Sequence, residues 1–138
     1  MTHTSTNTAV SEQHLDEGRQ HFEEVFGYTS QAFEQRFNEL APNYGRDIIA
    51  WEFSDAYRRP GLDLRTRELA IIAACAALGA IGHPTIKMHV PAALRAGATR
   101  EEICEVLVQV GFAAGLPASL GALAVAREAI LDFIGAQS

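Results

Sequence analysis

At 138 residues with 48 % apolar side chains, the chain is long enough to bury one domain's core without disulfides or metal staples. A formal net charge of −6, a pI near 5.3 and the lack of any basic run argue against nucleic acid as a partner. No apolar run reaches the ~20 residues of a membrane span without a charge or proline, and the Thr- and Ser-rich opening lacks a signal peptide's apolar centre, so the chain reads as soluble and cytoplasmic.

Residues 1–10 are polar and aperiodic and are expected to be a disordered tail, with a single all-helical domain over 11–138. Ser11 can cap a helix that runs to about Phe26, where Gly27 tolerates the positive φ of a helix stop. Thr29 or Ser30 opens a second helix with Phe33, Phe37 and Leu40 on one face. Pro42 breaks it and suits the first position of the next, which carries Ile48, Ile49, Trp51, Phe53 and Tyr57. Pro60-Gly61 marks a turn. Asp63 then caps a helix from Leu64 to Leu78, with Glu68 expected near its first turn, where negative charge suits the dipole. From Leu69 to Leu78 this helix is apolar all round, which predicts burial on every side and, in so small a chain, contact between subunits. Gly79 and Gly82 flank a short connection. His83-Pro84 starts a helix to about Ala96 that faces Ile86, His89, Val90, Ala93 and Leu94 inward and carries a disruptive Pro91. Thr99-Arg100-Glu101-Glu102 is a capping box for the next helix. After Gly115-Leu116-Pro117, a last helix spans about Ala118 to Ile134. No strand alternation or internal repeat is visible. The fold class is all-α, a bundle of about six or seven helices. Cys75 and Cys104 sit in apolar helical patterns and read as two buried free thiols. His3, His14 and His21 read as surface residues.

The ordered set Arg59-Pro60-Gly61-Leu62-Asp63-Leu64-Arg65-Thr66-Arg67-Glu68-Leu69, Ala77-Leu78-Gly79, His89, Ala93 with Gly97, Thr99-Arg100-Glu101-Glu102-Ile103 and Gly115 with Pro117 resembles the carboxymuconolactone decarboxylase family. That family is a branch of the superfamily that also holds the alkylhydroperoxidase D proteins. Trp51-Glu52-Phe53-Ser54-Asp55-Ala56-Tyr57 is similar to the family's lead-in. The resemblance implies an alkylhydroperoxidase D-like helical subunit, a homo-trimer or homo-hexamer with pockets between helices or subunits, no metal and no organic cofactor. It also implies decarboxylation of a small carboxylated lactone, as in aromatic catabolism. Some members of the family serve natural-product pathways instead. The peroxidase branch has two cysteines where this chain has Gly82 and Thr85, so the resemblance does not extend to a thiol peroxidase. The decarboxylase branch usually has Glu-Leu at Thr85-Ile86 and Tyr at Ala113.

Loss of CO2 from such a lactone leaves electron density that must be delocalised, on a carbon that then needs a proton. A protein without a cofactor can supply a cation for the carboxylates, a hydrogen-bond donor and a proton source. An imidazole gives and takes a proton near neutrality, which makes His89 the candidate acid. Glu68 is the candidate to orient it, or to act as a base. Arg65, Arg67 and Arg58 are candidates to grip a substrate carboxylate, and Trp51 and Tyr57 to line the pocket. Each has a plainer reading: His89 as a core histidine, Glu68 as a helix-end ion pair, the arginines as solvated or intersubunit charges, the two aromatics as packing. No metal-ligand spacing and no phosphate loop is present. Two alternatives stand beside the cofactor-free carboxy-lyase: a tailoring enzyme with a larger pocket, and a non-catalytic oligomeric scaffold.

Overall fold

The computed structural model describes residues 10–138. The expected disordered tail lies outside the described residues, apart from Val10. Seven α-helices and no strand are found among the described residues: α1 Glu12–Phe26, α2 Gln31–Leu40, α3 Tyr44–Ile48, α4 Leu64–Ala77, α5 His83–Arg95, α6 Arg100–Ala114 and α7 Leu116–Ala136. A π-helix, Ile49–Ala56, continues α3, and a 3₁₀ turn, Gly79–Gly82, joins α4 to α5. The chain divides into two compact units, one ending at Arg59 and one spanning Pro60–Ser138.

The first unit is built on aromatic side chains. Phe22 lies with its ring centroid 4.6 Å from Phe26 and 5.0 Å from Phe53, and Phe53 stacks on Tyr57 at 4.7 Å. Such offset and edge contacts add to the burial of large rings. The π-helix is tied to α1 by Ser54 Oγ, which donates to the His14 carbonyl at 2.7 Å. Glu34 is buried in α2 and accepts from Ser30 Oγ at 2.6 Å and from Arg19 through Nη2 at 2.9 Å and Nε at 3.1 Å. Burial pushes the Glu34 carboxyl up, but the Arg19 and Ser30 hydrogen bonds and the charges of Arg19 and Arg46 outweigh it and hold the group below its ordinary range.

The second unit is an aliphatic bundle of α4 to α7. Ile72, Ile86, Val90, Ile103, Leu107, Ala126 and Ile130 fill its core with branched chains and alanines that let the helices approach. The local signals hold where they are chemical. Asp63 accepts from the Thr66 amide at 2.7 Å, and Thr99 and Glu102 form both halves of the capping box at 3.1 and 3.0 Å. Gly27 ends α1 at φ 83°, in the left-handed region that glycine enters without the steric cost a Cβ brings. α5 runs unbroken through Pro91.

Other expectations are corrected. The third helix begins at Tyr44 behind Asn43 at φ 64°, not at Pro42, and it widens to a π-helix that no period in the sequence announces. Leu40 is exposed rather than packed on the face of α2. α7 starts at Leu116, with Pro117 inside its first turn, where a missing amide hydrogen removes nothing. α4 buries only the stripe Glu68, Ile72 and Ala76, and leaves Ala70, Ala74 and Ala77 exposed within the chain. Its all-round apolarity therefore does not mean burial on every side in one copy. Cys75 and Cys104 are only half-buried, not the buried thiols expected. His14 pairs with Asp55 at 2.9 Å, and His21 is half-buried with its ring edge on Tyr57.

Candidate active site

Within the second unit the candidate site is assembled by α4 and α5. α4 is held at its N-terminus by the Asp63 cap, whose carboxyl is kept below its ordinary range by the hydrogen bond from Thr66. Glu68 lies one turn further in and points to the core rather than to the helix end, so it is not the first-turn charge expected from the sequence. The stripe Glu68, Ile72, Ala76 repeats every fourth residue, which places a carboxylate in line with the core. On α5, His89 shares the buried face of Ile86, Val90 and Ala93.

The two side chains meet. His89 Nδ1 lies 2.6 Å from Glu68 Oε2, with Glu68 0 % and His89 3 % exposed. At that distance the contact is a charge-assisted hydrogen bond or ion pair, and the low dielectric strengthens it. Both carboxylate and ring are shut off from bulk water within the single chain. An ionised carboxylate only accepts, so paired with one the ring donates through Nδ1, and Nε2 is the ring nitrogen outside this contact.

The other candidates are not all brought to this pair. Arg65, on the first turn of α4, forms an ion pair with Glu102 of α6. Arg67 donates from Nη2 to the Leu62 carbonyl at 3.4 Å. Arg58 belongs to the first unit and pairs with Glu17. Tyr57 is buried in the first unit's aromatic cluster, whereas Trp51 projects from the π-helix and is 71 % exposed. Thr85 and Ala113, the two positions where the chain departs from the resemblance, lie half-buried on α5 and exposed on α6.

Gly82 has a structural reason to be glycine. A Cβ there would stand 1.9 Å from the Cys75 carbonyl oxygen, a backbone atom that cannot swing away. The position that holds a reactive cysteine in the peroxidase branch is thus closed to any side chain. Among the described residues, no group of His, Cys, Asp and Glu is placed to hold a metal ion, and no helix is long and apolar enough to cross a membrane.

Two features were missed from the sequence. The Arg19–Glu34–Ser30 network spans α1 and α2, and only the i, i+4 spacing of Ser30 and Glu34 hinted at half of it. An apolar groove of about 390 Å3 between α6 and α7 is lined by Val108, Phe112, Leu116, Leu120 and Leu123 over Gly111 and Ser119. The charge-free run from Val106 to Ala126 was its available signal.

Comparison with known proteins gives a consistent picture. The family model described as the carboxymuconolactone decarboxylase family matches residues 42–128. An uncharacterized 15.0 kDa protein from the nqo9-nqo10 intergenic region of Paracoccus denitrificans is 37 % identical over 84 % of this chain and 87 % of its own. A 4-carboxymuconolactone decarboxylase of Acinetobacter baylyi is 31 % identical over 88 % of this chain and 90 % of its own. A nitrosuccinic acid decarboxylase of Metarhizium robertsii is 26 % identical over 97 % of this chain and 93 % of its own.

Proposed function

Because the chain belongs to the carboxymuconolactone decarboxylase family, and relatives named as decarboxylases put carboxy-lyase chemistry at the level of that family, we propose that it is a carboxy-lyase whose acid is His89. The observation that carries the reading is the buried Glu68–His89 contact at 2.6 Å. Glu68 fixes the ring through Nδ1 and stabilises the imidazolium, so that Nε2–H is the proton donor. Arg65 and Arg67, on the same helix as Glu68, supply the cation for a substrate carboxylate. No role is assigned to Arg58, Trp51 or Tyr57.

The substrate class follows from what the two named substrates share. In 4-carboxymuconolactone and in nitrosuccinic acid, a carboxylate can leave as CO2 with its electron pair passing into an adjoining electron sink, a conjugated lactone or a nitro group. The C–C bond breaks, the pair moves to the sink oxygen, and a carbon of the resulting dienolate or nitronate then takes the Nε2 proton. The ring regains its proton through the same opening that admits the acid, since the pair is enclosed in the resting chain. The net change is a carboxylate and a proton converted to C–H and CO2. The test is CO2 release from 4-carboxymuconolactone and from nitrosuccinate by wild type and His89→Ala, with helicity checked by circular dichroism. General acid catalysis is worth about 10²–10⁴-fold, and the variant is expected to lose that factor. Unchanged turnover in a folded His89→Ala protein removes the histidine from the mechanism.

A second reading rests on the same burial. With Glu68 and His89 almost wholly enclosed in the chain, the pair can serve as a structural clasp in a non-catalytic oligomer. Absence of turnover on both acids, together with a large stability loss on breaking the pair, favours that reading.

A further inference from the structure

From the ion pair between Arg65 and Glu102 we infer a masked anion site: Glu102 occupies the Arg65 guanidinium in the resting chain as a stand-in for a substrate carboxylate, and so sets how tightly the chain takes up a diacid. The inference rests on the carboxylate-binding role proposed above for Arg65, and not on His89. Loss of CO2 from either of the two acids leaves a second carboxylate on the molecule, and that group needs a cation the reaction does not consume.

Three observations single out this pair. The first is position. Arg65 lies three residues before Glu68 on α4, a spacing that makes side chains neighbours on a helix surface. Glu102 is on the first turn of α6, beside the core residue Ile103, and both helices belong to the second unit. The second is how Glu102 is held. Its Oε1 accepts from the Thr99 amide at 3.0 Å, closing the capping box, while its Oε2 faces Arg65. The carboxylate keeps its place through the cap, so the guanidinium can turn to another carboxylate without undoing the helix end. The third is exposure. The Arg65 and Glu102 side chains are 37 % and 36 % exposed, so an acid can reach them, and a pair so placed is weak and readily exchanged. The Arg19–Glu34 pair is built differently: its carboxylate is 10 % exposed and also accepts from the Ser30 hydroxyl, which suits it to fixing structure. Arg67 donates back to the Leu62 carbonyl, and Asp63, whose carboxyl also feels the Arg65 charge, already accepts from the Thr66 amide. A guanidinium grips a carboxylate through a planar fork, so binding here is the exchange of one carboxylate for another. An acid with a single carboxylate cannot both displace Glu102 and present a group to leave as CO2, so the exchange selects diacids.

The test uses succinate, which has two carboxylates but no electron sink and so binds without reacting. Calorimetry gives its Kd for wild type, Glu102→Gln and Glu101→Gln, with helicity checked by circular dichroism. Glutamine at 102 keeps the capping oxygen and loses the charge that holds Arg65. The Kd of Glu102→Gln is expected to fall about two- to fivefold, as the release of an exposed ion pair allows. Glu101→Gln removes one charge from the same helix turn and should leave Kd unchanged, which separates the pair from the general repulsion of an anion by a chain of net charge −6. In an Arg65→Gln background the effect of Glu102→Gln should vanish. An unchanged or raised Kd in Glu102→Gln overturns the inference. So does equal tightening in Glu101→Gln, or tightening that survives without Arg65. Nuclear magnetic resonance of the unaltered protein avoids any folding defect: succinate should move the Arg65 Nε–H signal and leave the Thr99 amide in place, and an Arg65 signal indifferent to succinate overturns the exchange. Absence of CO2 release while this binding pattern holds removes the lyase reading alone.

Discussion

The Glu68–His89 contact makes a quantitative demand that stability measurements can meet or refuse. Alanine at either position leaves the other polar group enclosed. Breaking a buried ion pair from one side costs about 3–5 kcal/mol, because the remaining charge loses its partner and water does not replace it. At 2.6 Å, with 0 % and 3 % exposure, the pair belongs at the strong end of charge-assisted contacts. Removing both partners should therefore cost much less than the sum of the two single losses. The coupling is expected at about 2–3 kcal/mol, near the top of the range for residues in contact. Glu68→Gln keeps an acceptor oxygen for Nδ1 and should lose only about 1 kcal/mol, the order of a neutral hydrogen bond.

The assay is urea unfolding of wild type, Glu68→Ala, His89→Ala, the double variant and Glu68→Gln. Far-UV circular dichroism is the appropriate signal, since the second unit is helical and contains no tryptophan of its own. Protein concentration must be held constant, because association shifts apparent stability. Additivity of the two alanine substitutions within about 0.5 kcal/mol would refute the coupling and, with it, the electrostatic picture of the site.

Three further outcomes are expected. Glu34 has its carboxyl held down in the folded chain, so the first unit's stability is fully present above the ordinary Glu value of 4.5 and declines as pH falls through the lower folded value; Trp51 fluorescence during acid titration should show this, and Glu34→Gln should remove that part of the acid sensitivity. Thr99→Ala should cost α6 about 1 kcal/mol by thermal melting, the usual worth of an N-cap hydroxyl, and Thr99→Ser almost nothing. Gly82→Cys should fail to give a reactive thiol in a native fold, since the Cβ meets the Cys75 carbonyl; a well-folded, readily titrated Gly82→Cys protein would contradict the close approach at that turn.

What could be read in the sequence was local chemistry. Ser11, Asp63 and Thr99 cap their helices because a short side-chain oxygen reaches an amide two or three residues on, and no distant contact is needed. The buried faces of α5 and α6 were legible for a similar reason, as the helical period repeats within one element. The π-helix was not, since its wider hydrogen bonding has no compositional sign. Nor was the one-sided burial of α4, because apolar alanines on its open side look the same in sequence as those in the core. The meeting of Glu68 and His89 was anticipated from family order alone; twenty-one residues and a helix connection separate them, and no local rule spans that gap. The arginines were harder still. Nothing in their sequence spacing picks out Glu102 as the partner of Arg65 or Glu17 as the partner of Arg58, and only the folded chain brings each pair together.

The buried pair also bears on why a carboxylate stands in this core at all. A well-packed apolar pair in place of buried opposite charges is often as stable or more so, since desolvation takes back much of the Coulomb gain. Stability alone therefore gives α4 no reason to carry glutamate in line with Ile72 and Ala76. Two reasons remain, and they differ in which atom matters. A clasp uses only the Nδ1 contact, and any residue that donates to Glu68 at the same distance would serve. A proton donor also uses Nε2, which takes no part in that contact. A variant that keeps the Glu68 hydrogen bond but has no second ring nitrogen thus divides the two: His89→Asn can offer its amide N–H to the carboxylate while leaving nothing to protonate a carbanion. Retained stability with abolished CO2 release places the function at Nε2, and retained release places it elsewhere.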